Sequence, residues 1–210
     1  MQIKPIALLS FITATLITLL ILSGTNAYDR TTWVMEVFPI FIALPLMWLS
    51  VKRFPLTTLL YCLIFAHAVA LIVGGTYTYA RVPFGFDIQD YFGLSRNPYD
   101  KIGHFFQGFV PMLVAREILI RGHVVKGNKM LGFIVISIVL AISATYELIE
   151  WAAAISIGQD ADAFLGTQGD PWDTQSDMFF ALLGAVSSLL LLTHFHDRQI
   201  KKLQLKRAHQ

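Results

Sequence analysis

The chain is short of charge. Asp, Glu, Lys and Arg make up 14% of its 210 residues, against about 25% in an ordinary soluble domain. That shortage argues against a water-facing surface of normal polarity. Cysteine is scarcer still. A single Cys62, set in an apolar run, allows no intramolecular disulfide and leaves the redox compartment unreadable; its plain reading is a small buried apolar residue. No Walker loop, dinucleotide fingerprint, zinc-finger spacing or HExxH motif occurs, and no internal repeat. Nucleotide chemistry of the common kinds and the zinc-protease pattern therefore have no support, and the chain reads as one domain.

What the chain has in quantity is apolar sequence: 55% hydrophobic residues and a mean hydropathy of +0.60. The charges are clustered, with long apolar runs between them. Six segments approach the roughly 20 residues needed to cross a bilayer: Ile6–Ser23, Trp33–Val51, Leu56–Gly74, Lys101–Ile120, Met130–Ile157 and Asp177–His194. The fold class is thus all-α, a polytopic membrane protein with six transmembrane helices. The first segment competes with a cleaved signal peptide, but Thr25-Asn26-Ala27 is a poor cleavage site and the run is long for a signal core.

Orientation follows from the basic residues. With the N-terminus in the cytoplasm, the inner side receives Lys4, Lys52, Arg53, Arg116, Arg121, Lys126, Lys129, Arg198, Lys201, Lys202, Lys206 and Arg207. The outer side receives Arg30, Arg81, Arg96 and Lys101. Both termini are expected inside. The basic tail, residues 195–210, follows a membrane segment and reads as an anchor beside anionic lipid, with no nucleic acid partner implied. Of the acidic residues, only Glu117 and Asp197 fall inside. The topology rule does not account for that bias, which directs attention to the outer surface.

The outer loops are long. Gly75–Tyr99 is rich in aromatics, suited to lie along the headgroup region and roof a site. Gly158–Ser176 is rich in Gly and Asp; its Asp160-Ala161-Asp162 is a fragment of a calcium loop without the glycine and later ligands.

The stretch Asn97–Pro111, NPYDKIGHFFQGFVP, organises the rest. On a helix Asp100, His104, Gln107 and Pro111 share one face, and ionisable groups at membrane depth are costly enough to suggest function. Glu147 and Glu150, at i and i+3 in YELIEW, lie in the outer half of the fifth helix. Asp173 and Asp177 mark the mouth of the sixth, where Asp177, Ala181, Gly184 and Ser188 share a face with small residues for close packing. Three helices can bring Asp100, Lys101, His104, Gln107, Glu147, Glu150, Asp173 and Asp177 to one outward-facing pocket. Catalytic roles fit His104, Glu147, Glu150 and Asp177, while Asp100, Lys101, Gln107 and Asp173 fit substrate contacts. Carboxylates with one imidazole suit a divalent metal ion, Mg²⁺, Mn²⁺ or Zn²⁺, on His104, Glu147, Glu150 and Asp177. They equally suit acid–base chemistry without one.

Each residue also has a structural reading. Asp100 can cap a helix starting at Lys101, Glu147 and Glu150 can pair with Lys101 and His104, and Trp151 and Trp172 can anchor the interface. His67 reads as a hydrogen-bonded core histidine. Apart from it, the inner halves of the helices are expected to hold few ionisable groups.

The second half resembles the VanZ-like family. The likeness rests on an Asp-Lys-x-x-His-Phe opening (Asp100, Lys101, His104, Phe105), a later Glu147 or Glu150, and Asp173 and Asp177 before Gly184. It departs in having two glutamates in YELIEW and added helices before the shared part. The whole chain is similar to uncharacterised multi-pass proteins of the bacterial inner membrane, which implies that location and a lipid environment but no activity. The leading expectation is an envelope enzyme acting on a lipid or lipid-linked head group. A small-molecule or proton-coupled transporter and a non-catalytic scaffold are the alternatives; no protein partner is implied.

Overall fold

The computed structural model describes residues 4–157 and 168–208, with side chains as far as Leu205. Its elements are helices: α1 Pro5–Asn26, α2 Arg30–Ser50, α3 Thr58–Tyr77, α4 Pro83–Phe92, α5 Tyr99–Arg121, α6 Asn128–Ile157 and α7 Asp173–Ala208. The Asp160-Ala161-Asp162 fragment lies outside the described residues. Five helices, α1, α2, α3, α6 and α7, are long and apolar enough to cross a membrane. The α5 helix, of 23 residues, is long enough at about 1.5 Å per residue but carries too many ionisable groups to join them.

Those groups explain where α5 sits. It packs most extensively on α7 and also against α6 and α3, and its Lys101, His104, Arg116 and Glu117 are buried. The outer helices do the reverse: Phe11, Leu49, Phe133, Leu190 and Leu191 are exposed. Apolar surface outward and polar groups inward is the arrangement a lipid solvent demands. Cys62 is likewise exposed rather than buried, since its face of α3 turns away from the core.

The α5–α7 pair is close because two glycines permit it. A Cβ at Gly108 would fall on the Ala181 carbonyl, and one at Gly184 on the Phe105 carbonyl. Small residues let membrane helices meet backbone to backbone. The α1 helix packs on α3 and α2 through the one-sided row Leu9, Ile12, Leu16 and Leu20.

Two boundaries differ from expectation. Gly75–Tyr99 contains the helix α4, begun by Pro83 at its first turn and stopped by Gly93 at φ +63°; both are standard punctuation for such ends. Its Phe84, Phe86, Tyr91 and Phe92 are exposed. The last helix starts at Asp173 and runs unbroken through the basic tail to Ala208. It stays packed at least as far as Ile200, which is 2% exposed.

Candidate functional site

The site begins at the first turn of α5. Asn97 sets that turn: its Oδ1 accepts from the Tyr99 N–H at 3.0 Å and its Nδ2 donates to the Val82 carbonyl at 3.0 Å. The helix therefore starts at Tyr99, and Asp100 is not its cap. The Asp100 side chain turns instead to His104, whose Nε2 lies 3.4 Å from Asp100 Oδ1 and 3.7 Å from Asp177 Oδ1. The Asp100 carboxyl is also within hydrogen-bonding reach of Asp177. On the other ring edge, His104 Nδ1 is 3.2 Å from Gln107 Oε1 and 3.9 Å from Glu147 Oε1. The i, i+3 and i+4 spacings on α5 thus do what helical geometry requires.

Lys101 faces α7. Its Nζ donates to Asp177 Oδ1 at 2.6 Å and to Asp173 Oδ1 at 2.8 Å, with Asp100 Oδ2 at 3.5 Å. Arg96 adds ion pairs with Asp173 at 2.7 Å and Asp170 at 2.9 Å. Glu147 is bonded to Thr174, yet among the described residues its Oε1 has no hydrogen-bond partner, nor has Asp100 Oδ2. The first turn of α7 and the middle of α6 are thereby drawn to the mouth of α5.

On the opposite side of α5 lies a cavity of about 150 Å³, between α2, α3, α5 and α6. Glu36, Asp100, Glu150, His67, His104, Gln107, Tyr79 and Tyr146 line it, with Pro39 and Pro111. Glu150 faces this cavity rather than the α7 carboxylates. Glu36 accepts from the Tyr146 hydroxyl at 3.1 Å and also bonds Tyr79. Burial, and then the Glu36 carboxylate, push the Tyr79 phenol well above the usual tyrosine range, so at neutral pH it is a donor. Its position rests on an uncommon turn. Thr78 and Tyr79 take φ of 54° and 50°, a left-handed conformation that non-glycine residues adopt at a cost of about 1–3 kcal/mol. The Tyr79 ring fills the space left by the missing Cβ atoms of Gly74 and Gly103.

Sequence reasoning missed several members: Glu36, Tyr79, Tyr146, Arg96 and Asp170. Glu36 carried a signal, a lone carboxylate in an apolar membrane-length run. His67 also differs from expectation. Its Nε2 has no hydrogen-bond partner among the described residues, and its ring stacks on Phe106 with centroids 6.2 Å apart.

Electrostatics define the site. Among the described residues, Glu36, Asp100, Glu147, Glu150, Asp170, Asp173 and Asp177 face Lys101, Arg96 and the imidazoles of His104 and His67. Such an excess of carboxyl groups out of bulk water needs protons or cations. Asp100, His104 and Asp177 fit a divalent ion: each offers one donor atom, all within 4.8 Å of one another, and oxygen plus imidazole donors suit Mg²⁺, Mn²⁺ or Zn²⁺. Lys101 already neutralises Asp177, so an ion would compete with its ammonium.

A second polar cluster closes the other end of α5. Glu117, fully buried, accepts from Thr57 Oγ1 at 2.8 Å, His196 Nε2 at 2.9 Å and Arg121 at 2.5 Å. Arg116 pairs with Asp197 at 2.7 Å, and Arg121 donates to the Pro55 carbonyl at 2.7 Å while stacking on Phe54. The expectation of few ionisable groups here is thus wrong. The charge pattern makes Arg116 and Arg121 cytoplasmic residues that set orientation, whereas the structure has them, with Glu117, bind α3, α5 and α7 together.

Comparison with known proteins agrees with the membrane reading. Residues 8–198 match the family described as a predicted membrane protein, DUF2238. The chain is 60% identical over 203 residues to the inner membrane protein YjdF of Escherichia coli (strain K12), covering 96% of each. No solved structure matches. The VanZ-like likeness of the second half has no support from these matches and carries no further argument.

Proposed function

The chain belongs to the DUF2238 family of membrane proteins, and for this inner-membrane, multi-pass protein we propose an envelope enzyme acting on a lipid or lipid-linked head group. In this reading α5 is the sixth membrane span, both termini are cytoplasmic and the pocket opens outward. Asp100, His104 and Asp177 hold a divalent cation, and His104, Glu147 and Glu150 move protons. Lys101, Gln107 and Asp173 orient the substrate. The observation that carries it is the buried excess of carboxyl groups around His104, beside a cavity bounded by four helices. Charge of that kind at membrane depth is retained for use more often than for stability. The orientation is supported by the basic residues gathered at the Glu117 end of α5.

Thermal unfolding of the purified protein in detergent tests the site. Added Mg²⁺, Mn²⁺ or Zn²⁺ at about a hundred times its Kd stabilises the parent by about 2.7 kcal/mol relative to chelator, and His104→Ala and Asp177→Asn lose that response. Equal responses in all three remove the metal from the proposal. Single-cysteine labelling in a Cys62→Ala background tests the orientation: a cysteine at Gln168 reacts with an impermeant reagent in intact cells, and one at Lys126 does not.

A proton-coupled carrier is the second reading. His67, deep in the cavity with an unsatisfied nitrogen, and the Glu117–His196 pair supply ionisable groups toward the inner side. A substrate-driven pH change in sealed proteoliposomes, abolished by His67→Ala, would favour the carrier over the enzyme.

A further inference from the structure

The first turn of α5 divides a side where carboxylates are paired with Lys101 and Arg96 from a side where the described lining residues offer them no such partner. Toward α7 it presents Lys101, which with Arg96 borders a separate groove under α4. Toward α2 and α6 it presents the Asp100 carboxyl to the cavity described above. Among the described residues lining that cavity are Glu36, Asp100 and Glu150, two tyrosines and two histidines, and neither Lys nor Arg. A phosphate or other anion meets three carboxyl groups there and only the imidazoles of His67 and His104 in return, whereas a cation is well matched.

The shape of the charge separates one kind of cation from another. The compact ligand set is Asp100, His104 and Asp177; Glu36 and Glu150 do not belong to it and line the cavity from α2 and α6. A bare metal ion needs its donors within about 2.0–2.6 Å and cannot gather both sides at once. An ammonium reaches carboxylates through N–H donors at about 2.7–2.9 Å and can sit against aromatic faces. Tyr79 and Tyr146 supply such faces, and because both hydroxyls are engaged with Glu36, their rings are held in place. At the cavity, buried His67 Nε2 has no hydrogen-bond partner among the described residues, and Asp100 Oδ2 has none either, with the Lys101 ammonium 3.5 Å away. Close by, Glu147 Oε1 is in the same condition on a side chain only 9% exposed. These atoms have hydrogen-bonding capacity that a bound polar group can fill.

We propose that this cavity binds a primary ammonium group of aminoethyl size, between Glu36 and Asp100 and against Tyr79 and Tyr146. A cavity of about 150 Å³ is of the size that takes up benzene, which leaves room for a two-carbon amine and none for a diacylglycerol. The group can arrive free or as the terminus of a lipid head group. The proposal rests on the reading of the site as one that accepts a head group, and names the chemistry of that group.

The test uses the full-length protein in detergent, with ethanolamine as probe and ethylene glycol as its neutral match. Ethanolamine raises Tm in a saturable manner and ethylene glycol does not. Glu36→Gln weakens ethanolamine binding at least tenfold; Glu150→Gln does the same and serves if the first variant does not fold. The Mg²⁺, Mn²⁺ or Zn²⁺ response belongs to Asp100, His104 and Asp177 and persists in both, so loss of that response in the parent defeats the metal site without touching the amine site. Native mass spectrometry from nanodiscs assigns the source. Retention of phosphatidylethanolamine over phosphatidylglycerol, lost in Glu36→Gln, identifies a lipid amine; saturable ethanolamine binding without lipid preference identifies a free one. Equal shifts with ethanolamine and ethylene glycol, or unchanged ethanolamine affinity in both variants, overturn the proposal.

Discussion

The two ends of α5 carry similar residue types and are built to opposite specifications. At the Arg121 end, Glu117 meets Arg121, His196 and Thr57, and Arg116 meets Asp197. Acidic and basic charges are matched there, although Arg121 Nη2 has no hydrogen-bond partner among the described residues, and the Arg121 guanidinium covers a phenyl ring 3.7 Å away. At the Tyr99 end, carboxyl groups outnumber cations, Asp100 Oδ2 and Glu147 Oε1 have no hydrogen-bond partner among the described residues, and a cavity adjoins. A matched buried network holds helices in register; an unmatched one costs stability and is kept where something else completes it. Depth and composition alone do not separate scaffold from site. The balance of charge does.

The sharpest way to break this comparison is to remove the centre of the matched end. Glu117→Ala leaves Arg121 and His196 buried beside a missing carboxylate, and removing one partner of a buried pair costs about 3–5 kcal/mol. The expected outcome is a large fall in Tm, or failure to accumulate as folded protein, with no dependence on added metal or ethanolamine. Chemical denaturation in detergent measures it. A loss below about 1 kcal/mol would mean that this end is not the fastening the distances imply.

How far the sequence foretold these two ends is uneven, for physical reasons. The helical spacing of Asp100, His104 and Gln107 was visible because it is local, and so was the small-residue face Ala181, Gly184 and Ser188. Partners contributed singly by distant helices were not. Glu36 has no companion at helical spacing, and its meeting with Tyr146, 110 residues away, depends on tertiary packing. Tyr79 depends on a left-handed turn that neither Thr78 nor Tyr79 advertises. Arg116, Glu117 and Arg121 were legible as charges but not as a cluster, because Thr57 and His196 come from other helices. The α4 helix was readable from Pro83 and Gly93, had its aromatic content not suggested a loop.

An intermediate effect sharpens the comparison from the middle of α5. Gly184→Ala places a methyl group against the Phe105 carbonyl, and overpacking of this kind costs about 1–3 kcal/mol. Because the contact lies between the two ends, it forces α7 away from α5 and disturbs both. Reduced stability together with a weaker metal response is the expected result, measured by thermal unfolding with and without the ion. Stability lost with an unchanged metal response would show that the outer site does not depend on the close approach of α5 and α7.

The smallest expected effect discriminates most finely. Asp177→Asn preserves the shape of the side chain and the oxygen that accepts from Lys101, while removing one negative charge. Lys101 keeps Asp173 at 2.8 Å, so no cation is stranded. Asp100, which faces Asp177 across His104, loses a like-charged neighbour. In a matched cluster the same change would cost several kcal/mol, as at Glu117. Where carboxyl groups are in excess, relief of repulsion offsets the weakened contact with Lys101. The net change in metal-free protein is then within about 1 kcal/mol of zero, with a tendency toward greater stability. The measurement is the denaturation midpoint in chelator for parent and variant. A loss as large as that of Glu117→Ala would make the two ends equivalent, and the excess of carboxyl groups around His104 would then be structure rather than a site.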